Sequence, residues 1–325
     1  MTDARVAVVT GANSGVGLAI AQRLLSISIA EIVVLACRSQ TRAAQARAQL
    51  LAEFPRADVR LVELDTSSVA SVLAAAQEIT ALGRVDLLFC NAGAMAIASL
   101  DVCGIVRGLL THPIAFFESS EALVQRRGLL SGDGLGLTFQ TNVFGHYLLI
   151  HKLTDLMAAT NACVIWTGSS ASRLEFSMAD YQHVHGAKPY ESSKYIVDQI
   201  AVPLDARLHK RGVRCFVAEP GNVRSGFMAG LDIPVLQLLI AVVFFLLRTL
   251  GFRRFTIDAG CASAACIFIA LAAPDKLDPR IKYFSNASPT GQPSVMQAPL
   301  PYHKPTADFL IAKLDALVSR FDQPK

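Results

Sequence analysis

From residue 6 to residue 221 the chain alternates short, β-branched runs with helical stretches, and this alternation limits the possible folds more than any other feature. Strands are read at 6–11 (VAVVTG), 31–38, 59–65, 85–93, 163–170 and 213–221, and helices at 15–26, 41–54, 67–82, 134–158 and 190–211. A helix between two strands makes a crossover, so the strands run parallel and helices cover both faces of the sheet. The expected fold class is α/β: residues 1–325 as one domain, a single doubly wound Rossmann-type parallel sheet. No internal repeat or low-complexity linker interrupts it. Two stretches break the alternation. Residues 94–134 are an insertion with apolar, helical content, and residues 231–252 read LDIPVLQLLIAVVFFLLRTLGF.

The turn after the first strand points to a nucleotide. TGANSGVG (10–17) puts glycines at 11, 15 and 17, between a strand and the helix that follows it. Gly11 lets the chain turn off the strand. Gly15 and Gly17 let backbone approach a pyrophosphate and let the helix pack close to the sheet, with the helix N-terminus facing the phosphates. Asn13, Ser14 and Val16 complete this expected cofactor loop. At the end of the second strand, where an acid would hold a ribose 2′-hydroxyl, stand Cys37, Arg38 and Ser39. A guanidinium there suits a 2′-phosphate, so NADPH is expected over NADH. Asp65 is read either as a partner of the adenine amino group or as a cap for the helix from 67.

A second set of residues suggests chemistry. Asn91, Ala92 and Gly93 end the fourth strand. Asn142 lies within a helical run, where an asparagine is unfavourable unless it has a partner. WTGSSAS (166–172) ends a strand, and Tyr190 and Lys194 share a helix face one turn apart. Pro220, Gly221, Val223 and Ser225 follow the sixth strand in EPGNVRSG. A free phenol has a pKa near 10, and an adjacent ammonium is expected to lower it. His183 and His185 lack carboxylate companions and are read as surface loop residues, with no metal site.

In this order, TGANSGVG, NAG, TNVFGHY, Ser170, Tyr190-Glu-Ser-Ser-Lys194 and PGNVRS resemble the short-chain dehydrogenase/reductase family over residues 5–225. NVFGHYLLI, VIWTGSSAS, KPYESSKY and RIKYFSNAS resemble, within it, the 3-ketosteroid reductases of sterol biosynthesis, the type 7 17β-hydroxysteroid dehydrogenase group. The resemblance implies NADPH-dependent reduction of a 3-keto sterol during C4 demethylation, with 17-keto steroids as further substrates. It gives Tyr190 as proton donor, Lys194 as its partner and holder of the nicotinamide ribose, Ser170 at the substrate oxygen, and Asn142 positioning a relay water. Ser169 and Ser172 stand as substitutes for Ser170, since 20 residues separate Ser170 from Tyr190. Val223 and Ser225 join the cofactor set. A retinal or generic carbonyl reductase, and a non-catalytic scaffold for sterol enzymes, are the alternatives.

Composition bears on location. Charged residues make up 17% of the chain against about a quarter in a typical soluble domain, and hydrophobic residues 52%. The net charge is +4, with no basic cluster interleaved with aromatics, so nucleic acid is not an expected partner. The seven cysteines show no C-x-x-C pair and read as reduced core residues. The first strand starts so early that no signal peptide is expected. Residues 231–252 read as an apolar substrate lid that dips into a lipid face, since a true span would separate two parts of one fold. Arg253 and Arg254 would meet headgroups. Membrane lipid is therefore an expected contact. The resemblance places the chain at the endoplasmic reticulum membrane with its catalytic domain facing the cytosol, as a homodimer or in association with other sterol-biosynthesis enzymes.

Overall fold

In the computed structural model, which describes residues 4–111, 123–172, 176–221, 234–249 and 251–321, the alternation builds one eight-stranded sheet. β1 (Val6–Thr10), β2 (Ile32–Cys37), β3 (Asp58–Glu63) and β4 (Leu87–Cys90) alternate with α1 (Gly15–Ser26), α2 (Gln40–Glu53) and α3 (Val69–Thr80). The insertion follows. It is not simply helical as expected, because β5 (Ile97–Leu100) and β6 (Leu123–Gln125) pair as an antiparallel ribbon around α4 (Val102–Thr111). α5 (Gly145–Ala158), β7 (Cys163–Thr167), α6 (Pro189–His209) and β8 (Arg214–Glu219) complete the parallel series. Then come α7 (Pro234–Thr249), α8 (Ala259–Ala262), α9 (Ala264–Leu271), β9 (Ile281–Ala287), β10 (Pro293–Pro299) and α10 (Lys304–Phe321).

The strand order is β10-β9-β8-β7-β4-β1-β2-β3. Every neighbouring pair is parallel except β9 with β10, which closes one edge antiparallel. β1, β2, β4, β7 and β8 are buried along their whole length, as a sheet covered on both faces requires. On one face α1, α2 and α9 contribute Ile20, Leu24, Leu50 and Ile269. On the other, α3, α5, α6 and α10 contribute Val72, Leu149, Ile200 and Leu314. Six of the seven cysteines are buried, Cys103 is exposed, and all are free thiols. Chain order reverses between β1 and β4, one strand leading away on each side. Ligands of open α/β sheets bind in the crevice beyond the strand ends at such a point.

The expected single helix over 134–158 is interrupted. A turn at Leu137–Phe139 leads into a π-helical turn at Gln140–Phe144 before α5 begins. Single π-turns are rare and cluster at functional sites. This one carries Asn142.

Candidate active site

The glycine turn lies at the C-terminal end of β1, and two of its glycines take conformations that favour glycine: φ is +66° at Gly11 and +55° at Gly15. Gly17 is required by space. A Cβ there would lie 2.5 Å from the Gly11 carbonyl oxygen and 2.6 Å from Asn91 Nδ2. The N-cap residue of α1, Ser14, makes no side-chain cap, and its side chain is exposed. Asn13 and Val16 are half-buried beside it. This backbone cradle at a helix N-terminus fits a dinucleotide pyrophosphate. Arg38 is exposed one residue past β2, and Ser39 caps α2 by accepting from the Arg42 amide. The Asp65 carboxylate accepts from the Ser67 amide (2.9 Å) and the Ser67 hydroxyl (2.6 Å), so it serves the turn before α3, while Ser68 caps that helix.

Past β4, Asn91 Nδ2 donates to the Thr10 carbonyl at 3.0 Å. The Thr10 hydroxyl accepts from the Asn91 and Ala92 amides at 2.9 Å each, and His146 Nε2 lies 2.9 Å from the same hydroxyl. Burial drives the His146 pKa down to about 3, with the nearby Lys194 charge adding to the effect, so this ring is neutral at physiological pH. Asn142 has the partners its setting demands. Its Oδ1 accepts from the Ala94 amide (2.8 Å), and its Nδ2 donates to the Ala94 carbonyl (3.0 Å) and to Ser193 Oγ (2.9 Å). The π-turn therefore fixes the strand-end loop, including Gly93, against α6.

Tyr190 and Lys194 start α6. Pro189 in its first turn is pre-set for the helix, and Glu191 suits the positive end of the helix dipole. Both side chains are buried, with Lys194 Nζ 5.7 Å from the centre of the Tyr190 ring. The Ser169 side chain hydrogen-bonds the Tyr190 hydroxyl and favours its ionised form. Ser170 is half-buried beside it, and the Ser172 hydroxyl donates to Asp198 Oδ2 at 2.6 Å.

The expected acidic phenol is corrected by the structure. Burial dominates and pushes the Tyr190 pKa up to about 12, with Ser169 opposing and Glu191 and Glu219 adding to the rise. Lys194 donates instead to the Thr167 carbonyl at 2.7 Å. Its own pKa falls to about 8, first through burial and then through the charge of Lys282.

Two contributors went unread in the sequence. Gln125, from the insertion, accepts from the Tyr190 amide (2.9 Å) and donates to Glu191 (2.5 Å). Lys282 of β9 reaches the site from the far edge of the sheet. Pro220 and Gly221 (φ +73°) follow β8 as expected, whereas Val223 and Ser225 lie outside the described residues. His183 is buried rather than on the surface, its Nε2 accepting from the Lys188 amide, while His185 is exposed. Among the described residues no group of His, Cys, Asp and Glu could hold a metal.

The chain is similar to known proteins. The family model described as "short chain dehydrogenase" matches residues 5–233. A human protein named 3-keto-steroid reductase/17-beta-hydroxysteroid dehydrogenase 7 is 33% identical, covering 95% of this chain and 92% of the human one. The Schizosaccharomyces pombe 3-keto-steroid reductase erg27 is 31% identical over 92% of each chain. Among solved structures, YwfH, an NADPH dependent reductase involved in bacilysin biosynthesis, is similar in fold with a TM-score of 0.61. It is 16% identical and covers 89% of this chain and 99% of its own. The family match over most of the chain, joined to a glycine cradle and a Ser–Tyr–Lys cluster at the strand ends, makes this protein a member of the short-chain dehydrogenase family.

Proposed function

We propose that the chain is an NADPH-dependent reductase of 3-keto steroids, acting on the 3-ketone of a sterol intermediate and secondarily on 17-keto steroids. The observation that carries the chemistry is the Ser169–Tyr190 hydrogen bond above the buried Lys194 ammonium. The substrate class rests on the likeness to proteins named 3-keto-steroid reductase over nine-tenths of the chain. Bound NADPH supplies the hydride to the carbonyl carbon. The chain's residues manage the oxygen: Tyr190, a neutral phenol throughout the physiological range, gives it a proton, and the Ser169 hydroxyl donates a hydrogen bond to it. The Lys194 ammonium stabilises the phenolate left behind. Asn142 holds the loop that borders the cofactor. The test is cofactor oxidation by the purified chain in detergent, with 3-keto and 17-keto steroids compared. Turnover is expected with the 3-ketones, and bound cofactor without turnover on any ketone would overturn the reading.

Ser169 is assigned to the substrate oxygen, because its side chain hydrogen-bonds the Tyr190 hydroxyl. Ser169→Ala is expected to lower kcat/KM by about 10²-fold, in the range for loss of one donor at a developing oxyanion, and Ser170→Ala by less than about fivefold. Steady-state kinetics of both variants checks this, and the reverse ranking would return the role to Ser170.

The described part of the apolar segment is α7, and no helix among the described residues is long and apolar enough to cross a membrane. On α7, Val242, Phe245 and Leu246 are 47%, 51% and 53% exposed at i, i+3 and i+4, and Arg253 is exposed shortly beyond. This face is the reading's lipid contact: one-sided insertion that brings an apolar ketone to the site, with the catalytic domain on the cytosolic side of the endoplasmic reticulum. Phe245→Asp with Leu246→Asp is expected to weaken co-sedimentation with anionic phosphatidylcholine/phosphatidylserine vesicles by at least about tenfold. Unchanged sedimentation would remove lipid from this face.

A further inference from the structure

Lys282 is a fully enclosed ammonium on β9, a strand whose RIKYFSNAS motif was given no role in the site. It is 4% exposed, with two buried carboxylate partners, Asp198 Oδ2 at 3.0 Å and Glu219 Oε2 at 3.1 Å, and the carbonyl oxygen of half-buried Ser169 at 3.1 Å. The three come from different elements. Asp198 stands one turn after Lys194 on the α6 face that begins with Tyr190. Glu219 ends β8. Ser169 follows β7. Lys282 pairs with Val217 across β8–β9, and Val217 with Trp166 across β7–β8, so the side chain crosses β8 to reach the end of β7. Gly168 makes room for it, since a Cβ there would sit 3.0 Å from Lys282 Cε and 2.9 Å from a Val217 methyl.

Two buried lysines thus hold one three-residue strand end, Lys194 through the Thr167 carbonyl and Lys282 through the Ser169 carbonyl. We propose that Lys282 is a positioning residue of the reduction, fixing Ser169 through its carbonyl and setting a second permanent positive charge against the Lys194 ammonium. The inference rests on the reductase reading for its kinetic part only.

Like charges in a low-dielectric interior disfavour each other's protonation. Burial alone disfavours the Lys282 charge, but Asp198 and Glu219 outweigh it and keep Lys282 above the ordinary lysine range. Lys194 lacks such a clasp. The groups that face it are Tyr190 and Asp198 on its own helix, Cys90 of β4, His146 of α5 and Lys282 of β9. His146 is neutral and burial raises the Cys90 thiol, so Asp198 and Lys282 are the fixed charges in the set. Lys282 opposes the Lys194 charge and Asp198 supports it. The two carboxylates also differ in what they hold, since Asp198 binds Ser172 as well.

The test uses substitutions with opposite signs. In the wild-type chain kcat/KM for ketone reduction is expected to fall above about pH 8 as Lys194 loses its proton. Lys282→Met removes the opposing charge, so the alkaline limb moves up by about one unit or more, and the pH 9 to pH 7 activity ratio rises about fivefold. Its plateau drops about tenfold as Ser169 loses its anchor. Asp198→Asn moves the limb down, and Lys282→Arg, which keeps the charge, restores the wild-type limb. A packing role alone would lower the plateau without moving the limb. The same order is expected without substrate: NMR titration of [ε-¹³C]lysine in cofactor-free protein, with the Lys194 signal assigned by its loss in Lys194→Met, gives midpoints Lys282→Met > wild type > Asp198→Asn. If Lys282→Met does not fold, Asp198→Asn decides alone. A Lys194 midpoint unmoved or raised in Asp198→Asn, or unmoved in a folded Lys282→Met, overturns the proposal. A wild-type chain that turns over no 3-ketosteroid while the midpoints keep this order overturns the reductase reading instead.

Discussion

Tyr190→Phe is expected to lower kcat for 3-ketone reduction by about 10²–10⁴-fold, the range for loss of a positioned general acid, while leaving NADPH affinity within about twofold. The two effects separate because the hydroxyl and the ring do different work. The ring is enclosed at the start of α6, and phenylalanine fills the same space. The hydroxyl meets Ser169. Removing it deletes the proton donor and leaves the cradle of Gly11, Gly15 and Gly17 intact. With the phenol pushed up to about 12 and Lys194 at about 8, the wild-type donor and its partner both hold their protons across pH 5–7, so the loss in the variant should be the same across that window. Single-turnover kinetics with a parallel fluorescence titration of NADPH checks both parts, and a variant that keeps more than about a tenth of wild-type turnover would assign the proton to another group.

Arg38→Asp is expected to reverse cofactor preference. The guanidinium is exposed one residue beyond β2, on the side of the cradle where the adenosine ribose lies if the pyrophosphate meets α1. Loss of a charge-assisted contact to a 2′-phosphate weakens NADPH binding by about 10–100-fold, and a carboxylate in the same place accepts from the 2′-hydroxyl of NADH. The ratio of kcat/KM for NADPH to that for NADH should fall by at least about 10²-fold, measured with one ketone held saturating. Asp65 contributes little to this contrast, since its carboxylate is engaged with Ser67. An unchanged ratio would mean that Arg38 faces away from the ribose.

Most of the parallel sheet was legible because its strands are apolar on both faces and its helices begin at recognisable points. α1 was read at its observed bounds because Gly15 and the apolar spacing mark its start, and α6, read at 190–211, starts one residue earlier, at Pro189, and ends at His209. The last quarter of the chain was harder to read. β10 begins and ends with proline and is mostly exposed, so it lacks strand signals; an edge strand tolerates both features. α10 does carry a helical pattern, with Ala307, Leu310, Ile311, Leu314 and Val318 buried, but nothing in it tells where the helix packs. The insertion reads as helical because α4 carries its clearest apolar spacing, and the short strands beside it have too few residues to show a period of two.

The candidate site divides in the same way. Tyr190 and Lys194 were legible because one helical turn joins them, and the glycines because local backbone geometry demands them. What local sequence could not show were contacts between distant segments. Asn142 grips Ala94, Gln125 holds the Tyr190 amide, and Lys282 lies 84 positions from Asp198. Ser169 and Ser170 are adjacent, and only the path of the chain leaving β7 decides which hydroxyl turns toward the phenol. The acidity of that phenol was misjudged for a related reason: the helical spacing shows the neighbouring ammonium but not the burial that pushes the phenol up.

The most direct measurement follows the transferred hydrogen. The purified chain is incubated with a 3-ketosteroid and NADPH deuterated at C4, each epimer in turn, and the product is analysed by mass spectrometry and NMR. The account predicts one deuterium at C3 of a 3-hydroxysteroid from one epimer alone, formed by the wild-type chain and suppressed by about 10²-fold or more in Tyr190→Phe. A product without deuterium at C3, or equal labelling by the phenylalanine variant, would contradict it.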